Sequence, residues 1–478
     1  MTATVLVLLA LAAVPLALLG VLAWRSPTLA VCLVPLCLPF GLVTVHGLAL
    51  KLAQVAALSA GALVLWRRLA LGRRQLPVSG VLLGSGLAVL GALCSTFVAV
   101  APTAAIRLDL GYLIGLGLAT ATATACVQPR AQRAVLACLC ATGGAACAAG
   151  LSTAGRLRVF YGGALVQNRA TGPFGQPNEL GSLSVTVSVV GLGLLFALPS
   201  GRRFRPLRLL AGAASLAAMA ALTLSFSRGA WIGLALGLAV LVLLAPRSRR
   251  PVLAGFAAVA LVGLLSPFLV PGQAVLAAVG DRLAATATGE RNPYDERPAI
   301  WREAVRQAEG SPVLGVGPGG YPVRATLDES AARVSAPEHA HNVVLTIAAE
   351  QGAVGLLGFA LAVFAGIGGA ARTARRYDRS PDPNAEGRGL LAAAAAGLAA
   401  LIGQGLVDYT WRNALLGTVL WLLVGLLAAG CRARPGQLPG PVAPAARPHA
   451  QDGTRRLPMA RTVEAEQREQ ERTPAHVV

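Results

Sequence analysis

The stretch HAHNVVLTIAAEQGAVG (residues 339–355) passes from a polar junction into an apolar run that continues to about residue 369. His339 and His341 stand at the junction, Asn342 follows, and Gly352 and Gly355 punctuate the run. A run of this length and character predicts a helix that crosses a hydrocarbon core about 30 Å thick, which takes about 20 residues. Imidazole is the one side chain whose ordinary titration falls near neutral pH. A histidine where a loop enters a membrane helix can therefore act on a polar substrate held at the surface. It can equally be an interfacial residue that only hydrogen-bonds backbone.

Composition extends the membrane reading to the whole chain. Of 478 residues, 55% are hydrophobic and only 13% charged, about half the charged fraction of a soluble protein. Mean hydropathy is +0.64. Candidate spans fall at 3–23, 27–45, 48–66, 77–99, 108–127, 131–153, 177–198, 207–226, 229–245, 252–270, 341–369, 390–407 and 413–430. The chain is thus expected to be all-α, a polytopic membrane protein of about 12–13 transmembrane helices, because helices satisfy their own backbone groups in lipid. The membrane domain is placed at 1–430, with a large extracytoplasmic loop, 271–340, inserted. A Pro-rich and then Arg/Glu/Gln-rich segment, 431–478, reads as a disordered cytoplasmic tail. The first run lacks a basic start and a clear cleavage site, and reads as a span.

The net charge of +20 does not point to nucleic acid, because the arginines cluster in short loops between apolar runs. Segments 66–74, 128–133, 201–208, 246–251 and 371–379 are basic and alternate correctly to share one side, expected to be cytoplasmic. Segments 100–107, 155–176, 226–230, 271–340 and 408–412 then face outward, both histidines included. The eight cysteines show no CxxC or Cys/His spacing for metal and read as small packing residues.

The outward segments differ in character. Segment 158–180 is rich in Gly and polar residues and enters a helix where Asn178 can cap the start. In TLSFSRGAW (223–231), Arg228 follows a short junction between two apolar runs. An arginine at membrane depth is costly and is a functional candidate by default, with snorkelling to the interface as the plainer alternative. Residues 297–310 predict a short amphipathic helix, with Ile300, Ala304 and Val305 at helical spacing. GVGPGGYP (315–322) follows as a Gly/Pro turn without the lysine or strand context of a phosphate loop. Trp301, Tyr321 and these glycines favour an ordered cap on the outer face. Asp408, Tyr409 and Arg412 read as a short structural turn, and Arg107 and Asp109 as a possible ion pair.

Arg169, Arg228 and His341 therefore meet on one predicted face. Guanidinium forks suit phosphate oxygens, and an imidazole can take a hydroxyl proton. Such a set suits a lipid-diphosphate-linked sugar, whose leaving group would need cationic stabilisation.

The same residues resemble the O-antigen ligase and O-antigen polymerase superfamily of integral membrane glycosyltransferases. The resemblance runs over roughly 155–360. It rests on His341-Asn342 followed by Gly352-x-x-Gly355, on Asn168-Arg169 through Gly172-Pro173-Phe174 and Pro177-Asn178-Glu179-Leu180, on Ser227-Arg228-Gly229-Ala230, and on Arg297, Trp301 and the 315–319 glycines. The resemblance implies a GT-C-like helical fold in the inner or plasma membrane. It also implies a polyprenyl-diphosphate-linked donor, undecaprenyl above all, and a glycan, lipid or protein acceptor. Arg169 and Arg228 would hold the diphosphate and His341 would serve the acceptor hydroxyl. His339, Asn342, Asn178 and Arg297 would support the site, with no metal and no cofactor. Two other classes compete. A transporter or flippase of lipid-linked sugars should show internal repeats and a midplane site, and no convincing repeat is seen. A peptidoglycan-type polymerase would need an outer-loop carboxylate, for which Asp281, Asp295 and Asp328 are candidates.

Overall fold

The apolar runs become helices because lipid offers their backbone groups no partner, and the bundle then closes through small residues. The computed structural model describes residues 20–21, 24–39, 42–45, 48–72, 77–154, 158–161, 164–167, 169–252, 297–325, 339–379 and 385–432. In chain order the helices are α1 (Pro27–Leu36), α2 (Leu52–Ala70), α3 (Gly80–Thr96), α4 (Pro102–Ala125), α5 (Pro129–Leu151), α6 (Pro177–Ala197), α7 (Arg205–Ser225), α8 (Arg228–Leu244), α9 (Arg297–Gly310), α10 (Val343–Asp378), α11 (Ala385–Gly405) and α12 (Ala414–Arg432). Eight helices among the described residues are long and apolar enough to cross a membrane, and α3 and α8 are somewhat shorter apolar helices in the same bundle. Apart from residues 20–21 and 252, the expected spans at 3–23 and 252–270 lie outside the described residues, as do the tail from 433 and Asp281, Asp295 and Asp328.

The expected span at 27–45 is corrected. Helix α1 stops at Leu36, with Pro35 in its last turn and Pro39 just beyond, and proline supplies no N–H to continue a helix. Val43, Thr44 and Val45 are β-branched, which favours a strand. Leu42–Val45 (β1) pairs antiparallel with Leu48–Lys51 (β2), Val43 opposite Leu50. A second short ribbon pairs Arg158–Tyr161 (β3) with Ala164–Gln167 (β4).

The tightest seam joins α3 to α10. A Cβ added at Gly84 would lie 2.2 Å from the Ala362 nitrogen, one at Gly91 2.8 Å from the Gly355 Cα, and one at Gly358 2.3 Å from the Ala88 nitrogen. Small residues let the two backbones touch, the usual source of helix affinity in lipid.

Helix α10 is broken rather than straight. Gly352 has φ 60° and ψ −157°, a region essentially restricted to glycine. The turn after α9 satisfies the backbone groups that this break releases. Val316 N–H donates to the Ala349 carbonyl and Gly317 N–H to that of Glu350, both at 2.9 Å, while Ala353 N–H donates to the Pro312 carbonyl at 2.8 Å. Gly315, Gly317 and Gly319 all have positive φ there. The expected cap is thus ordered over 297–325. In α9, Ile300 and Ala304 are buried as expected, but Val305 is 42% exposed and the polar Glu303 and Gln307 take the inner face. Gln307 Nε2 donates to Glu303 and to the Tyr321 carbonyl, and Tyr321 Oη donates to the Ile300 carbonyl.

The basic segments gather at one end of the helices. Arg133 pairs with Glu386 at 2.5 Å and lies over the Phe204 ring. Arg388 pairs with Asp378 and donates to the Leu244 carbonyl. Segments 100–107, 169–176, 225–230, 339–342 and 405–413 gather at the other end, as the contacts below show.

Candidate functional site

The site is built on the turn between α11 and α12, which several helix ends grip. Asn342 caps α10, its Oδ1 accepting from the Val344 and Leu345 N–H groups at 2.9 and 3.1 Å, and its Nδ2 donates to the Leu406 carbonyl. Just before the cap, His341 adopts φ 49°, a left-handed conformation that histidine tolerates better than most residues. The His341 N–H donates to His339 Nδ1 at 3.1 Å, which holds that turn.

The turn directs the His341 ring at Asp408. His341 Nδ1 lies 2.7 Å from Asp408 Oδ1, with the histidine side chain 25% exposed and the aspartate 5%. Burial pushes the Asp408 carboxyl up. The His341 hydrogen bond, the neighbouring imidazoles and the Asn178 hydrogen bond outweigh this and hold it below the usual carboxylate range. An ionised Asp408 cannot donate, so the shared proton is carried by His341 Nδ1, and the base form of the ring has its lone pair on Nε2. A carboxylate that orients an imidazole in this way makes it a general base with a fixed tautomer.

The other Asp408 oxygen continues the chain. Asn178 Nδ2 donates to Oδ2 at 2.6 Å, and Asn178 Oδ1 accepts from Arg169 Nη2 at 2.8 Å. Asn178 therefore does not cap α6. Pro177 occupies the first helical position, where its missing N–H costs nothing, so the cap falls on Gln176 and the Asn178 side chain is left to bridge. Arg169 Nε donates to the Ser225 carbonyl at 2.8 Å, and the Ala170 N–H to that of Leu224. These bonds fix the guanidinium plane against the α7–α8 junction. Phe226 turns that junction with φ 49° and Arg228 opens α8, half-buried. The start of α8 packs against α11, since a Cβ on Gly229 would lie 2.6 Å from Gln404 Oε1 and 3.2 Å from the Val407 Cβ. The segments of Arg169, Arg228 and His341 thus converge around Asp408. Arg297 opens α9, on the cap.

His339 is neutral across the physiological range. Burial first, then the neighbouring His341 and the charge of Arg412, lower its pKa to about 3 against the opposing pull of Asp408. Its ring packs edge-on to His341 (4.6 Å) and to Tyr409 (5.7 Å). Arg412, on the same turn, makes a two-oxygen contact with Glu350 at 2.9 and 2.7 Å. Ser182 meets Thr410, and Asn413 donates to Glu179. Sequence reasoning read Asp408 only as part of a structural turn and passed over Glu350. Their signal was a carboxylate on the predicted outer side between two apolar runs, and another inside an apolar run. Asp109 takes a hydrogen bond from Thr96 at 2.5 Å in place of the expected pair with Arg107.

Potential ligand atoms of His339, His341 and Asp408 lie within 4.8 Å of one another, a spacing that could hold a metal. His341 Nδ1 and Asp408 Oδ1 face each other at hydrogen-bond distance, and His339 Nδ1 is occupied by a backbone N–H. A zinc ion held through those Nδ1 atoms and Asp408 Oδ1, at about 2 Å from each, would have to displace these hydrogen bonds.

Fold and site together define a polytopic helical membrane protein with an arginine–carboxylate–histidine centre where its helix ends converge. Residues 212–360 match the family model described as O-antigen ligase, consistent with the resemblance to the O-antigen ligase and polymerase superfamily of membrane glycosyltransferases. The matched region contains Arg228, Arg297, His341, Gly352 and Gly355, whereas Arg169, Asn178 and Asp408 lie beyond it. No curated protein matches the chain closely enough to count as a relative.

Proposed function

We propose that the protein transfers a glycan from a polyprenyl-diphosphate donor, undecaprenyl diphosphate in particular, to an acceptor hydroxyl at the extracytoplasmic face of the cell membrane. The observation that carries this reading is the continuous chain His341–Asp408–Asn178–Arg169. It couples a proton acceptor to a cation suited to phosphate oxygens. His341 Nε2 takes the acceptor proton while the acceptor oxygen bonds to the anomeric carbon. The bond from that carbon to the diphosphate oxygen breaks, and the diphosphate leaves with its charge met by Arg169 and Arg228. His339 and Asn342 hold the His341 turn, Asn178 positions Asp408, and Arg297 belongs to the cap. The reaction is metal-independent, a reading supported by the commitment of the potential ligand atoms to one another.

The test is a transfer assay with purified protein, a polyprenyl-diphosphate oligosaccharide and candidate acceptors. Wild type should release polyprenyl diphosphate and modify an acceptor, unaffected by a chelator, with the product distinguishing ligase from polymerase. His341→Ala and Arg228→Ala should fold and fail. Full activity of His341→Ala would remove the assigned base. Movement of the donor across liposomes without any transfer would replace the reading by transport.

A further inference from the structure

Past the break at Gly352, α10 runs to the opposite end of the bundle as an unbroken helix. From Ala353 to Asp378 it spans roughly 39 Å at about 1.5 Å per residue, against a hydrocarbon core of about 30 Å. One face of this length stays open. Residues 357, 361, 364, 368, 372 and 375 follow one another at intervals of three and four, which sets them on a single stripe. The stripe begins with the exposed Leu357, Leu361 and Phe364. It passes Gly368 and then carries Arg372 and Arg375, both exposed, with Arg376 exposed at its flank.

Arg372 is held in an unusual direction. Its guanidinium lies back over Gly368, where an added Cβ would come 3.2 Å from Nη1 and 3.9 Å from Cζ. Gly368 is about one turn, roughly 6 Å, nearer the middle of the membrane. A basic side chain near a helix end ordinarily bends outward to water. This one points along the lipid-facing stripe toward Phe364, in a notch that exists because residue 368 has no side chain. A guanidinium on a lipid-facing surface is costly unless an anion meets it. The nearby carboxylates are committed elsewhere, Asp378 to Arg388 and Glu386 to Arg133. Arg372, Arg375 and Arg376 form no ion pair among the described residues.

We infer that this stripe seats an anionic phospholipid of the leaflet opposite the catalytic turn. Its phosphate lies on Arg372, beside Arg375 and Arg376, and its acyl chain follows Phe364, Leu361 and Leu357. Charge complementarity selects the phosphate. The direct passage from arginine to lipid-facing apolar residues selects a phosphate that carries a chain. The seat is separate from the His341–Asp408 centre and stands or falls independently of the transferase reading.

The test uses the full chain in detergent and native mass spectrometry with two probes that share their tails, dioleoyl phosphatidylglycerol and the net-neutral dioleoyl phosphatidylcholine. Wild type should retain the phosphatidylglycerol at least about tenfold better, the scale of one charged hydrogen bond. Arg372→Gln should remove most of that preference. Gly368→Leu keeps every charge but fills the notch and lifts the guanidinium, so it should lower the preference as well. Arg250→Gln removes an exposed arginine at the same end but off α10, and should change nothing. An unchanged preference in Arg372→Gln overturns the seat. An equal fall in Arg250→Gln also overturns it, because the lipid would then answer to the diffuse charge of that end. A preference lost in Arg372→Gln but intact in Gly368→Leu would move the phosphate out of the notch and overturn the seat. Full displacement by millimolar inorganic phosphate at constant ionic strength would make this a free-anion site and overturn it too. Equal retention of the two lipids by wild type overturns it outright. If a preference then appears when Glu464, Glu466, Glu469 and Glu471 are all changed to Gln, the arginines belong to the acidic residues of the tail instead.

Discussion

His341 Nδ1 and Asp408 Oδ1 are 2.7 Å apart although 67 residues of chain separate them. The pair closes a circuit. Asn178 joins the second Asp408 oxygen to Arg169, so the position of the base and of one arginine are set by the same carboxylate. Loss of the carboxylate charge should therefore harm chemistry more than donor capture.

Asp408→Asn keeps the shape of the side chain and removes its charge. The amide can present its N–H to His341 Nδ1, which drives the ring proton to Nε2 and leaves no base facing the acceptor. In the transfer assay kcat should fall by roughly 10³-fold or more, with donor KM changed far less. The same substitution should remove part of the acid sensitivity of folding. A carboxyl held below its ordinary range stabilises the fold above its unfolded pKa, and that contribution is lost as pH falls through the lower folded value. Melting curves at pH 7 and below pH 4 would show the wild-type drop shrinking in the variant.

His339 makes an opposite kind of pH prediction. It is neutral in the fold down to about pH 3 and would take up a proton near 6.5 when unfolded. Between those values the unfolded chain binds the extra proton, so stability rises with pH across the window and falls on acidification. His339→Gln should flatten the melting temperature between pH 7 and pH 5 relative to wild type. An unchanged slope would mean that His339 is protonated in the fold. The variant should also loosen the His341 turn, because His339 Nδ1 accepts its N–H.

How far the sequence reached depended on whether a property was local. The apolar runs announced helices and the amphipathic period placed 297–310, whereas the cap expected at Asn178 fell on Gln176. The basic segments came to one end of the bundle because topological alternation alone requires it. Hydropathy cannot tell an apolar strand from an apolar helix, so β1 and β2 were read as spans, and only Pro35 and Pro39 hinted otherwise. Asp408 was read as part of a structural turn because nothing in DYTWRN (408–413) is a motif. Its importance comes from α11 and α12 delivering it to a histidine just before α10, a tertiary fact. Glu350, a carboxylate in mid-run, carried a readable signal, yet its partner Arg412 could not be inferred from spacing.

Gly352 can be tested separately from the chemistry. At φ 60° and ψ −157° any side chain is strained, and its Cβ would lie 2.4 Å from the Val313 carbonyl carbon and oxygen. Gly352→Ala should cost roughly 2–4 kcal/mol and detach the 311–320 turn from α10. Gly212→Ala is the matched control. It sits within α7 with nothing inside 4 Å of the new carbon, and alanine should be neutral or stabilising by up to about 1 kcal/mol. Thermal melts of the two variants should move apart, and similar melts would mean that the break at Gly352 is not required.

Glu350 and Arg412 form the buried ion pair that ties the Asp408 turn to this broken segment. Glu350 is 2% exposed and Arg412 12%, so neither charge can fall back on water. Taking out the carboxylate alone leaves a buried guanidinium uncompensated, which costs about 3–5 kcal/mol. Glu350→Gln should therefore destabilise more than its conservative size suggests. Arg412→Gln should do likewise, and both should lower kcat because the turn that carries Asp408 loses its anchor. If the pair acts through mutual charge, exchanging it as Glu350→Arg with Arg412→Glu should recover part of the stability lost in either single change. A double variant no better than the sum of its parts would show that the pair is held by its surroundings and that the Asp408 turn is anchored by Thr410 and Asn413 instead.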